Sequence, residues 1–128
     1  MIDRQEIFNT AVAGLHSQGF ERSVNSTGQC LYRTDDGKRC AVGWCIPDDK
    51  YSPNIEYKNV GSIMISKNIF DLKVNDNFEG IWFLDRLQEC HDTGITPNRM
   101  VRKLSEFARV NGLKQPTSLR KPKKETTQ

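Results

Sequence analysis

Among the side chains of this 128-residue sequence, four cysteines and two histidines could do chemistry of their own. The cysteines stand at Cys30, Cys40, Cys45 and Cys90, and His91 follows the last of them directly. A Cys/His nucleophilic site needs a thiol, a nearby base and a group that orients the base. Cys40 or Cys30 with His91 and Asp92 would supply those types, giving a thiol-dependent enzyme as one alternative. Neighbouring residues on a helix point about 100° apart, which places Asp92 poorly to orient its own neighbour. For a metal, Cys30, Cys45, Cys90 and His91 are the alternative ligands. The one short spacing, Cys40-x4-Cys45, is at the long limit of the C-x2–4-C knuckle of structural zinc sites, and strand alternation would put its two thiols on opposite faces, so the bland expectation is buried free thiols and no cofactor. Gly-rich phosphate loops, His-Glu-x-x-His runs and Gly-x-Ser-x-Gly elbows are missing from the sequence.

Charge offers a second kind of chemistry. The chain carries 19 Lys and Arg against 16 Asp and Glu, for a formal +3. Lys114, Arg120, Lys121, Lys123 and Lys124 face only Glu125 in residues 114–128, so the excess belongs to the tail and the body is slightly acidic. With Arg102, Lys103 and Arg109 upstream, Arg120, Lys121, Lys123 and Lys124 could neutralise phosphates, making nucleic-acid binding another alternative. The tail holds Pro116, Pro122 and a single large aliphatic, Leu119, so residues 114–128 are expected to be disordered beside a domain at 1–113. No apolar run approaches the roughly 20 residues needed to span a bilayer. Asp3, Arg4 and Glu6 occupy the place of a signal-peptide core, so a cytosolic protein with reduced thiols and no membrane partner is expected.

The elements that must position these residues read unevenly. Asp3 and Glu6 form a capping box for a first helix with an Ile7, Phe8, Ala11, Val12, Leu15 stripe and Gly19 at its end. Cys30–Thr34 and Cys40–Ile46 read as two strands joined at Asp36-Gly37, a β-hairpin with Arg33 opposite Cys40 and with Cys40 on the other face from Cys30 and Cys45. Gly43 inside the second strand signals close approach by other backbone. Val60–Val74 is ambiguous and leans to a short helix capped by Ser62. Asp76 and Glu79 open a helix running to about His91, with Trp82 and Phe83 broadening its buried face. Thr96 and Pro97 open the last helix, which stops at Gly112. The fold class expected is α+β, one hairpin packed by about three helices.

Set out this way, Cys30-Leu31-Tyr32-Arg33, Gly37-Lys38-Arg39-Cys40-Ala41-Val42-Gly43, Ile46-Pro47-Asp48 and Tyr51 resemble a signature of small uncharacterised proteins of tailed bacteriophages and prophages. Leu87-Gln88-Glu89-Cys90-His91-Asp92 resembles that family's L-Q-x-x-H-D stretch, and the likeness touches most of residues 1–112. Trp44-Cys45 departs from it, since a smaller or sulfur-bearing residue usually follows the Gly. The resemblance implies a phage-encoded accessory protein in the bacterial cytosol that binds a host or phage protein, a defence protein or inhibitory target included, without catalysis. Tyr32, Arg33, Trp44, Asp48 and Tyr51 are the binding residues expected on that reading.

Overall fold

A computed structural model describes residues 3–62 and 78–120. Helices α1 (Arg4–Ser17), α2 (Phe78–Asp92), α3 (Pro97–Val110) and α4 (Thr117–Arg120) lie there. Three short 3-10 turns, Gly43–Cys45, Asp48–Lys50 and Pro53–Ile55, punctuate the long connection after α1. The helix ends follow their local chemistry. Asp3 accepts from the Glu6 amide at 2.9 Å while Glu6 accepts from the Asp3 amide at 3.0 Å, so the capping box forms. Thr96 accepts from the Arg99 amide with Pro97 in the first turn of α3. Both α1 and α3 close with paired backbone bonds across a left-handed glycine, Phe20 to Leu15 and Leu113 to Ala108.

Among the described residues there is no β-strand, so the α+β class and the β-hairpin are corrected to a helical fold. The chain does reverse after Arg33, but pairing stops at the isolated bridges Val24 with Cys30 and Arg33 with Arg39. Two physical causes replace the expected ladder. Glu56 takes the amides that a neighbouring strand would have taken, accepting from Tyr32 at 2.8 Å and from Arg33 at 3.1 Å. Beyond Cys40 the chain coils instead of extending: Trp44 donates to the Cys40 carbonyl and Cys45 to that of Val42. Coiling sends Cys40, Ala41 and Val42 together into the interior, all fully buried, whereas an extended strand would alternate them. The register differs as well. The turn is centred on Asp35-Asp36 with Gly37 left-handed at φ +93°, so Arg33 meets Arg39 and not Cys40.

The close approach expected at Gly43 is present. A Cβ there would lie 2.2 Å from the Tyr32 carbonyl oxygen, so no larger residue fits without moving backbone. The core joins Phe8, Phe83 and Phe107, with ring centroids 5.8 Å apart for Phe8–Phe107 and 5.3 Å for Phe83–Phe107. Ile7, Leu15, Leu84, Leu87, Met100 and Leu104 fill it out. The expected domain boundary at Leu113 is passed by packed chain. Gln5 exchanges two bonds with the Lys114 backbone, and Leu119 of α4 is 1% exposed. Residues 121–128 of the expected tail, Asp76 of the second capping box and Ile63–Val74 of the ambiguous segment lie outside the described residues.

Candidate functional site

The two candidate regions lie on different parts of α2, one at its last turn and one along its outer face. At the last turn, His91 is fully buried and its Nε2 accepts the Ser23 backbone N–H at 2.8 Å. That bond occupies the Nε2 lone pair. In the neutral ring the proton therefore sits on Nδ1, which donates to Asp92 Oδ1 at 2.8 Å. Asp92 Oδ1 also accepts from Gln88 Nε2 at 3.0 Å, and Gln88 in turn accepts from the Val42 amide. Cys30 arrives from the loop after α1 and brings its sulfur to the same place, with sulfur, carboxylate and imidazole atoms all within 4.8 Å of one another. Thus Cys30, His91 and Asp92 do converge, and Asp92 does reach its neighbour's ring despite the helical offset. It is the last residue of α2, and its carboxylate turns back along the Nδ1 edge.

The order of the groups decides what they can do. Nucleophilic activation requires the base beside the thiol and the acid behind the base. Here Asp92 holds Nδ1, but Nε2, the nitrogen that would have to take a thiol proton, is spent on the Ser23 amide. Burial, followed by the Asp92 charge and its hydrogen bond, pushes the Cys30 thiol up to about 11, against a weaker pull downward from Arg22. A reactive thiolate needs the opposite shift. Cys40 does not join the cluster. It is fully buried, accepts from the Gly43 amide through Sγ, and is pushed far up by burial.

A metal fits no better. Cys45 Sγ lies 3.7 Å from the Ile7 carbonyl, and Cys90 Sγ lies 3.6 Å from the carbonyls of Arg86 and Lys103, so the expected set Cys30, Cys45, Cys90, His91 is not assembled. Among the described residues Cys30, His91 and Asp92 form the one group with ligand spacing. Its imidazole offers no lone pair, with Nε2 on an amide and Nδ1 protonated, and the Arg22 guanidinium stands close by. These residues pin the end of α2 to the loop at 22–30.

The expected binding residues also turn inward. Arg33 lies over the Tyr51 ring at 4.6 Å, pairs with Asp48 at 2.9 Å and donates to the Ile46 carbonyl. Tyr51 donates to Glu56 at 2.7 Å, and burial, then Glu56, pushes its phenol up to about 12. Tyr32 is buried and donates to the Lys58 carbonyl at 2.6 Å. Trp44 seats its indole on Gly14, where a Cβ would lie 2.2 Å from the ring, beneath Arg39 at 4.7 Å. Of the five, Asp48 alone is well exposed, and Arg33 and Arg39 hold it. The signature residues knit the 30–58 connection to itself. Glu56, which accepts three of these bonds, carries no motif signal of its own.

Along the outer face of α2 the picture differs. A groove of about 820 Å³ runs between α2 and α3. Its floor is Phe83, Cys90 and Phe107, and its edges are Trp82, 56% exposed, and Val110, 67% exposed. Trp82 therefore does not broaden the buried face. Phe83 takes the inward position, and two bulky neighbours about 100° apart cannot both do so. Arg86 lies over the Trp82 ring at 5.4 Å and pairs with Glu89 at 3.1 Å. Arg4 lies over Phe83. Of the expected phosphate-binding residues, Arg102 and Lys103 line the groove and form no ion pair among the described residues. Arg109 is held by Glu106. Arg120 ends α4, and Lys121, Lys123 and Lys124 lie outside the described residues. Sequence reasoning missed the groove as a unit; the adjacent Trp82-Phe83 pair was the available signal.

No family model, curated protein or solved structure matches this chain. No helix among the described residues is long and apolar enough to cross a membrane.

Proposed function

We propose that this chain is a non-catalytic binding protein that takes a macromolecular partner into the groove between α2 and α3. The observation that carries the reading is the groove itself. It has an aromatic and thiol floor, two exposed apolar edges at Trp82 and Val110, and cations at Arg102 and Lys103 with no ion pair among the described residues. Scattered exposed apolar side chains need no explanation, but a concave apolar surface rimmed by charge is the form that binding sites take. The thiol enzyme is the poorer reading, because all four thiols are pushed upward, first by burial, and His91 has no free nitrogen. Following the resemblance of the 30–51 signature, the protein is a phage-encoded accessory protein and its partner a host or defence protein met in the bacterial cytosol.

Affinity capture with the full-length chain from bacterial lysate tests this reading. Wild-type protein recovers a stoichiometric partner, and the Trp82→Asp/Val110→Asp double substitution loses it while keeping the native circular dichroism spectrum. Capture unchanged by that double substitution overturns the groove as the binding surface.

A further inference from the structure

The proposal of a binding groove can be taken one step further, to the chemistry of what occupies it. We infer that the groove takes an acidic amphipathic helix of a partner protein, its apolar face on Phe83, Cys90 and Phe107 and its carboxylates on Arg102 and Lys103. This rests on the binding reading above.

Backbone accounting selects a helix. The groove lies between two helices whose peptide groups are satisfied within each helix, and no strand edge exists among the described residues. An extended segment laid there would find no main-chain partners for its own N–H and C=O groups. A helix arrives with those bonds already made and needs only apolar side chains spaced along one face. The lining residues of α2 and of the turn after it run from Trp82 to Thr93, which at 1.5 Å per residue is about 17 Å, or three turns of a guest helix.

Charge selects an acidic guest. Four cations and two carboxylates line the groove. Glu89 is paired with Arg86, and Glu106 is paired with Arg109, so both acids are neutralised within the chain. Arg102 and Lys103 remain as adjacent charges on the α3 rim with no ion partner among the described residues. Nucleic acid is a poorer guest for the same groove. Single-strand binding needs open aromatic faces for the bases, but Phe83 and Phe107 are buried and the exposed indole of Trp82 already carries the Arg86 guanidinium on one face. The chain's own residues 121–128 are also poor guests, because Lys121, Lys123 and Lys124 outnumber Glu125 and would meet like charge.

The test uses full-length protein and labelled model helices of about 14 residues, long enough for three turns with short ends. All carry leucine at i, i+4, i+7 and i+11, and their flanking positions are all Glu, all Lys or all Gln. Fluorescence anisotropy at low salt reads affinity. The Glu-flanked helix binds about tenfold or more tightly than the Lys-flanked one, and the preference shrinks at 0.5 M salt. Arg102→Glu/Lys103→Glu reverses the order of the Glu and Lys helices, which a misfolded variant could not do. Val110→Asp weakens all three. Equal affinity for the Glu and Lys helices, no reversal in the charge-swapped variant, or displacement of the Glu helix by a single-stranded oligonucleotide at equal concentration would each overturn the inference. So would a dimer, seen by sedimentation, that blocks peptide binding. If lysate capture depends on Trp82 and Val110 while the peptides show no charge preference, the occupant is wrong and the groove stands. If neither depends on the groove, both readings fall.

Discussion

The cluster at the end of α2 contains every residue type of a cysteine nucleophile, and the reactivity of Cys30 separates a catalytic role from a structural one. The perturbation is Asp92→Asn. In the native protein the Asp92 charge and its hydrogen bond add to burial and push the Cys30 thiol from an ordinary 9.0 to about 11. At pH 8 that leaves roughly a hundredfold less thiolate than an unperturbed thiol would have. Replacing the carboxylate by an amide removes the second- and third-largest upward causes and leaves the Arg22 attraction unopposed, while burial remains. Alkylation of Cys30 in Asp92→Asn is therefore expected to speed up by about five- to tenfold at pH 8, a partial recovery of that hundredfold. The assay is iodoacetamide labelling followed by peptide mass spectrometry, which reports Cys30 apart from Cys40, Cys45 and Cys90. A catalytic triad predicts the reverse, because losing the acid would disable the base and slow the thiol. Labelling that slows, or a wild-type Cys30 that reacts at pH 6 faster than free cysteine, would refute the structural account.

The same account makes three further predictions. His91→Ala leaves the buried Ser23 amide without an acceptor and opens a cavity, so urea denaturation should show a loss of about 3–4 kcal/mol. His91→Gln can still offer an oxygen to that amide and should lose about half as much; equal losses would argue against the Ser23 bond. Glu56→Ala strips acceptors from the Tyr32 and Arg33 amides and from the Tyr51 hydroxyl, and is expected to cost about 2–3 kcal/mol by the same measurement, less than full burial would give because Glu56 is partly exposed. Finally, the raised thiols and phenols bind protons more tightly folded than unfolded. Stability should hold up to about pH 9 and fall as pH rises through 11 to 12, read as a declining thermal midpoint. A midpoint flat between pH 9 and 11 would contradict the burial of these groups.

How much of this was legible in the sequence depends on how far each cause reaches. The ends of α1 and α3 were legible, because Asp3 with Glu6, Thr96 with Pro97, Gly19 and Gly112 act within three or four residues of themselves. The connection at 30–46 was not. Its partners are Glu56 and Gln88, 23 to 46 residues from the amides they hold, and a short apolar run such as Cys40–Ile46 reads equally as strand or coil. One left-handed glycine further along than expected was enough to move Arg33 from Cys40 to Arg39. The convergence of Cys30 with His91 and Asp92 spans some 60 residues, so the sequence could name the types but not their order in space. The signature that resembles phage proteins proved to contain the residues that hold the connection together, Arg33, Tyr51 and Gly43 among them. The surface proposed to meet a partner lies instead on α2 and α3, at Trp82, Arg102, Lys103 and Val110.

The central claim, that the α2–α3 groove and not the Cys30 cluster is where this protein meets its partner, is tested most directly by hydrogen exchange of the full-length chain with and without its captured partner. Protection confined to residues 82–93 and 102–111, with the 22–34 loop exchanging as in the free protein, is the result predicted. Protection centred on 22–34 and residues 88–92, with the Trp82 and Val110 ends of the groove unchanged, would contradict it.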